Sequence, residues 1–222
     1  MIKAILFDAD YTLYQIQTEP AYRALYSSLE KKLSLSAEKI REAHSTKIEK
    51  VKSSKDPFKR DYAFALTWAL AHLGAPDAEG IAREALDLFW TEILENLTWE
   101  PDILETMRAL KKKYRLAIAS DEFPENLEKK LHKIFGNWQD FFEFLITSRE
   151  TGEMKPSTLY YQLALKKLEL RPSEVLAVGD SLERDIEPAC AWGLQTLLIS
   201  EEPVDASTKR VRMLKEILSQ FS

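Results

Sequence analysis

ILFDADYTL, residues 5–13, decides the reading of this chain: an apolar run stops abruptly at Asp8, a second carboxylate follows at Asp10, and Thr12 comes next but one. Residues 2–7 are apolar except for Lys3, the pattern of a parallel strand covered on both faces. In an open parallel sheet, ligands bind beyond the carboxyl ends of the strands. Asp8 and Asp10 are therefore placed to meet one cation or one phosphorus. A strand followed by an acidic turn would look the same in isolation, because Asp is common in turns.

Outward from this stretch the pattern recurs. Residues 115–119, 144–147, 175–178 and 195–199 are further apolar strands, and helical patterns occupy 102–113, 124–135, 157–168, 184–192 and 208–221. Alternating strands and helices predict an α/β fold with a doubly wound parallel sheet. Right-handed crossovers put the first strand centrally, the next two on one side and the last two on the other. That order sets the strand ends at Asp8, Ser120 and Asp180 side by side.

Residues 15–99 break the alternation with four helical stretches and no strand: 20–33, 36–52 with Ser36 as N-cap, one from Asp56 and Pro57 to near Gly74, and 77–96. The expected organisation is an α/β core formed by 1–14 and 100–222, interrupted by a helical domain at 15–99. No internal repeat or low-complexity tract is present.

Three later segments carry reactive groups in strand contexts. RLAIAS ends in Ser120, GEMKPS holds Lys155, and VLAVGD ends in Asp180 with Asp185 one turn on. Each has a plain structural reading as well. Ser120 suits an N-cap for a helix from Glu122, Lys155 a solvated loop lysine before Pro156, Asp180 a turn residue after Gly179, and Asp185 a cap of the helix it begins. Four carboxylates gathered at one sheet edge cannot all stay ionised without a cation, and Lys155 alone is insufficient. A hard divalent ion with oxygen ligands, Mg2+, resolves the imbalance.

Taken in order, these segments resemble the four motifs of the haloacid dehalogenase-like (HAD) hydrolases, a superfamily made mostly of magnesium-dependent phosphatases. The resemblance covers both ends of the chain and skips the middle. It implies a Rossmann-like core with an all-helical cap over the active site, hinged at 15–19 and 98–101. It further implies Asp8 as nucleophile through an aspartyl-phosphate, Asp10 as general acid and base, and Ser120 and Lys155 on the phosphoryl oxygens. Asp8 and Asp180 would bind Mg2+ by carboxylates and Asp10 by its carbonyl. Thr12 would fix the loop through its hydroxyl, and Asp185 would support the metal site. The implied activity is hydrolysis of a small soluble phosphate monoester, of sugar phosphate, nucleotide monophosphate or phosphoglycolate type.

The chain departs from the family pattern twice. Tyr11 stands where glycine is frequent, and Asp121 follows Ser120 where asparagine is common, adding negative charge near the phosphate site. The rival activities are 2-haloacid dehalogenation, against which the retained Asp10 argues, phosphomutase chemistry, and phosphometabolite binding without turnover.

Composition excludes other classes. The 222 residues carry 31 Lys and Arg against 36 Asp and Glu, a net charge of -5 without a basic stripe, so a nucleic acid polymer is not an expected partner. The run 62–75 is too short for a membrane span and reads as a buried helix. The short apolar stretch before Asp8 does not read as a secretory signal, and the lone Cys190 forms no internal disulfide and is expected to pack in the core, which fits a cytoplasmic protein. His44, His72 and His132 lack ligand spacing. Lys47, Arg60 and Tyr62 are the helical-domain residues that substrate contact would draw on, although no spacing selects them. Trp68, Trp90, Trp138, Phe141, Phe142 and Phe144 are expected in the cores.

Overall fold

The computed structural model describes residues 1–51, 54, 56–59, 61–202 and 208–220. The chain forms two compact units, one from Met1–Gln15 with Thr98–Ser222 and the other from Ile16–Leu97.

The first unit is built on six parallel strands: β1 Ala4–Phe7, β2 Arg115–Ser120, β3 Leu145–Thr147, β4 Val175–Gly179, β5 Gln195–Ile199 and β6 Arg210–Val211. Their order is β3-β2-β1-β4-β5-β6. The central position of β1 follows from the right-handed crossovers expected of this alternation. Its last residue, Phe7, is in register with Ile118 of β2 and Val178 of β4, so the chain enters three adjacent loops at the same level. Asp8 continues the ladder by donating its N–H to the Val178 carbonyl at 2.8 Å. Every residue of β1 and β4 is buried, as strands covered on both faces must be.

Alternation along these strands divides the core. Ala4, Leu6, Ala117, Ala119, Val175 and Ala177 pack in one cluster with Tyr160, Tyr161, Ala164 and Leu168. The last four line one side of a helix in the segment between β3 and β4. On the opposite side Phe7 meets Phe142 edge to face, with ring centroids 6.3 Å apart. Trp138 and Phe141 are buried as expected.

The helices of the second unit are α1 Thr18–Leu33, α2 Ala37–Val51, α3 Tyr62–His72 and α4 Ala78–Glu95. Those of the first unit are α5 Ile103–Lys111, α6 Pro124–Phe135, α7 Ser148–Thr151, α8 Leu159–Leu168, α9 Glu187–Ala191 and α10 Ile217–Gln220. Ser36 accepts from Lys39 N–H before α2, as expected of an N-cap. For α3 the cap is Asp61, whose side chain accepts from Ala63 N–H, while the Asp56 carboxylate closes a local turn onto Phe58 N–H. The Asp56-Pro57 signal therefore starts a turn and the helix begins five residues later. Arg60 and the expected helix ends at Lys52 and Phe221 lie outside the described residues.

Two expectations are corrected. The pattern over 208–221 is not one helix. It opens as β6, paired to β5 through Leu198 and Arg210, and passes through a 3-10 turn Leu214–Glu216 into α10. Val211, Leu214 and Ile217 are all buried, and their spacing of three imitates a helical stripe. Cys190 is exposed: α9 is a single short turn, and its neighbour Ala189 takes the buried position.

In the helical unit His44 is fully buried among Tyr22, Tyr26 and other apolar neighbours, its Nδ1 3.0 Å from the Tyr26 hydroxyl. Burial lowers its pKa from 6.5 to about 4. The unfolded chain thus binds a proton between these values that the folded chain refuses. The stabilisation from neutral His44 is complete above pH 6.5 and is lost as the pH falls toward 4, with a ceiling of roughly 3 kcal/mol. Urea unfolding of wild type should show its midpoint falling through that window, and His44→Gln should flatten this part of the profile.

Candidate active site

The three adjacent loops following β1, β2 and β4, with the loop before α8, surround a cavity of about 310 Å³. It is lined by Asp8, Asp10, Tyr11, Ser120, Asp121, Glu122, Lys155, Asp180, Ser181, Arg184 and Asp185. Every reactive residue read from the sequence motifs lines it except Thr12.

Lys155 is the centre of the charge arrangement. Its ammonium donates to Asp8 Oδ1 at 2.5 Å and to Asp185 Oδ1 at 2.6 Å, and the side chain is almost entirely buried. Burial alone would depress its pKa, but the charges of Asp8 and Asp185 outweigh burial and hold it well above the ordinary value. Asp8 carries the opposite imbalance. Burial pushes its pKa up to about 7, opposed by Lys155 and assisted by Asp185 and Asp180. Burial and the Asp185 charge also raise Asp180.

Carboxylate oxygens of Asp8, Asp180 and Asp185 lie within 4.8 Å of one another. An all-oxygen donor set with surplus negative charge suits a hard divalent cation. Asp185 already has both oxygens engaged, Oδ1 by Lys155 and Oδ2 by Ser181 N–H at 3.2 Å. Its position fits support of the lysine and of the loop, so that a cation held here would face Asp8 and Asp180. The backbone explains this placement. Residues Leu182–Ile186 form a π-helical turn in which Ile186 N–H reaches back to the Ser181 carbonyl, widening the helix start and turning Asp185 inward.

Gly179 is required by the same packing. A Cβ there would stand 2.5 Å from Asp185 Cβ and 2.6 Å from its Cγ. The glycine of VLAVGD is therefore a matter of space beside Asp185.

The Tyr11 departure has a backbone meaning. Its φ is 62°, a left-handed conformation that glycine adopts freely and that costs other residues about 1–2 kcal/mol. The turn is closed by Tyr11 N–H to the Tyr14 carbonyl at 2.7 Å and Leu13 N–H to the Ala9 carbonyl at 2.9 Å. The Thr12 hydroxyl is buried and has no hydrogen-bond partner among the described residues, so these backbone bonds hold the loop where the sequence reading assigned that task to Thr12.

Asp121 is not a free charge near the phosphate position. Oδ1 accepts from Lys155 N–H at 2.7 Å and from the Tyr160 hydroxyl at 2.8 Å, and Oδ2 pairs with Arg184. It fastens the lysine loop to α8 and to the turn after β4. Ser120 accepts from Glu122 N–H at 3.2 Å, closing the turn ahead of α6, whose N-cap position is Phe123.

Two residues escaped the sequence reading. Lys130, buried on α6, donates to both Asp10 oxygens at 2.9 and 3.2 Å and to Glu122 at 3.1 Å. A signal existed: α6 buries Leu127, Leu131 and Ile134, and Lys130 falls on that same stripe, while Lys129 and Lys133 do not. Arg184 was equally unmarked, because its partner Asp121 is distant in sequence.

The fold and site define a hydrolase of a known kind. A model of the haloacid dehalogenase-like hydrolases matches residues 2–191, and the chain belongs to that family. Ribulose-1,5-bisphosphate 5-phosphatase of Halopiger xanaduensis is 31% identical over 229 residues, spanning 97% of this chain and 92% of its own. Glyceraldehyde 3-phosphate phosphatase of Methanopyrus kandleri is 28% identical, spanning 90% of this chain and 84% of its own. The crystal structure of 2-haloacid dehalogenase from Pseudomonas syringae superposes with a TM-score of 0.76 at 23% identity, covering all of both chains, a likeness of fold. No helix among the described residues is long and apolar enough to cross a membrane.

Gly179→Ala should displace Asp185 and loosen Lys155. We expect a loss of about 1–3 kcal/mol in stability from overpacking, measured by urea unfolding, with any phosphate-releasing activity falling at least about tenfold.

Proposed function

We propose that the protein is a phosphatase that hydrolyses a small phosphate monoester through an aspartyl-phosphate on Asp8. The observation that carries this reading is the Asp8–Lys155–Asp185 arrangement beside Asp180, with Asp10 retained two residues after Asp8. The two phosphatase relatives support the same class of substrate, and the substrates in their names favour phosphorylated sugars and related small molecules.

In the first half reaction an Asp8 oxygen attacks phosphorus while the ester P–O bond breaks. The electron pair leaving with the ester oxygen takes a proton from Asp10. In the second half, water gives its proton to Asp10 and attacks phosphorus, the Asp8–phosphorus bond breaks, and inorganic phosphate leaves. Lys155 and the Ser120 hydroxyl steady the phosphoryl oxygens, the first by charge and the second by hydrogen bonding. Asp8 and Asp180 by carboxylate, and Asp10 by its carbonyl, would hold Mg2+. When bound, the ion supplies charge neutralisation for the phosphoryl group. The helical unit Ile16–Leu97 serves in this reading as the cap that limits substrate size.

Dehalogenation would use the same nucleophile on carbon, and a departing halide needs neither a proton from Asp10 nor a cation between Asp8 and Asp180. The test is phosphate release from a panel of small sugar phosphates, nucleotide monophosphates and phosphoglycolate, with Mg2+ or with chelator. Release should require the metal and fall at least about a thousandfold in Asp8→Asn. Wild-type release that is insensitive to chelator and survives in Asp8→Asn would refute the reading.

A further inference from the structure

Lys130 has no assigned task, yet it makes an unusual commitment for a lysine. The side chain is 2% exposed. Burying an ammonium is unfavourable unless it is paired and hydrogen-bonded, and buried ion pairs are often replaceable by apolar groups without loss of stability. Its position on the apolar stripe of α6 would accept a leucine. Instead the amine reaches across to the loop after β1, donating to Asp10 Oδ1 at 2.9 Å and Oδ2 at 3.2 Å, and also to Glu122 at 3.1 Å. The Tyr14 ring lies below it, its centroid 5.6 Å from Nζ.

This arrangement restrains the Asp10 carboxylate, beside which the buried Tyr14 side chain also lies. Asp8 is fixed by Lys155, Asp121 by Arg184 and the Lys155 backbone, and Asp185 by Lys155 and Ser181. Asp10 sits in a turn whose next residue, Tyr11, is in a left-handed conformation, and its carboxylate is partly exposed to the cavity. Proton transfer requires a donor held within hydrogen-bond reach of the oxygen it serves. A small displacement of a reacting group costs large factors in rate.

We propose that Lys130 is a positioning residue for Asp10, aiming its carboxyl group at the oxygen of the leaving alcohol from a fixed point on α6. Glu122 holds the amine in turn, and the Ser120 bond to Glu122 N–H links this support to the loop that steadies the phosphoryl group. The inference rests on the phosphatase reading and extends it to a residue outside the four motifs. It also distinguishes substrates. Help from Asp10 matters most for an alkyl phosphate, whose alkoxide leaves poorly, and least for an aryl phosphate with a stable phenolate.

The experiment compares wild type, Lys130→Met, Lys130→Arg and Asp10→Asn on glycerol phosphate and on 4-nitrophenyl phosphate, each with Mg2+. Thermal unfolding is followed in parallel. Lys130→Met should lower kcat on the alkyl ester about 10- to 100-fold with KM within about threefold, lose several-fold less on the aryl ester, and be partly rescued by Lys130→Arg. Should the Met variant fail to fold, Lys130→Gln takes its place with the same expectation. Unchanged kinetics, or equal losses on both esters that track the fall in thermal stability, would overturn the positioning role while leaving the phosphatase reading intact. Failure of wild type to release phosphate from either ester would overturn the phosphatase reading and this inference with it.

Discussion

A single buried ammonium organises the site. Lys155 lies between Asp8, at the end of the central strand, and Asp185, in the turn after β4, and neither carboxylate could be buried so deeply without it. Removing one partner of a buried charge set costs far more than its formation gains, because the remaining charge is stranded away from water. The surrounding loops are arranged to prevent that. Asp121 grips the Lys155 backbone, Tyr160 and Arg184 grip Asp121, and Ser181 N–H grips Asp185. The parallel register of β2, β1 and β4 brings these loops to one level, so the sheet supplies position and the ion pairs supply orientation.

The arrangement is balanced short of neutrality. Burial, joined by the charges of Asp185 and Asp180, outweighs Lys155 at Asp8 and keeps its pKa raised to about 7. A cation at this corner would restore Asp8 to its ionised, nucleophilic form. In the proposed reaction the strain of gathering like charges thus draws the metal and then the phosphate to the same place. Lys130 and Glu122 form a second, smaller charge set around Asp10, separate from that of Asp8. Two carboxylates two residues apart are thereby given different environments, which is what different chemical roles demand.

Much of this was legible in the sequence because it depends on local periodicity and short motifs. The apolar runs located the five longer strands, the crossovers gave their order, and DAD, Ser120, Lys155 and GDS marked the loops that meet. What escaped reading depends on contacts between distant residues. Nothing in the string EKKLHK says that Lys130 meets Asp10 in the loop after β1, although its place on an apolar stripe was a usable hint. Asp121 read as an added charge because its partner Arg184 lies 63 positions away. The short β6 was hidden by a spacing of three that serves a strand, a 3-10 turn and a helix alike, and Asp56-Pro57 imitated a helix start that belongs to Asp61.

The central claim is that Asp8 is the nucleophile that takes up the phosphoryl group. The direct measurement is to quench the enzyme with acid during turnover of a small phosphate ester, reduce it with borohydride, and map the modified residue by peptide mass spectrometry. Conversion of Asp8 to homoserine, in the presence of substrate and Mg2+ only, is the predicted result. Unmodified Asp8 in enzyme that is releasing phosphate under the same conditions, or reduction at another carboxylate, would contradict the account.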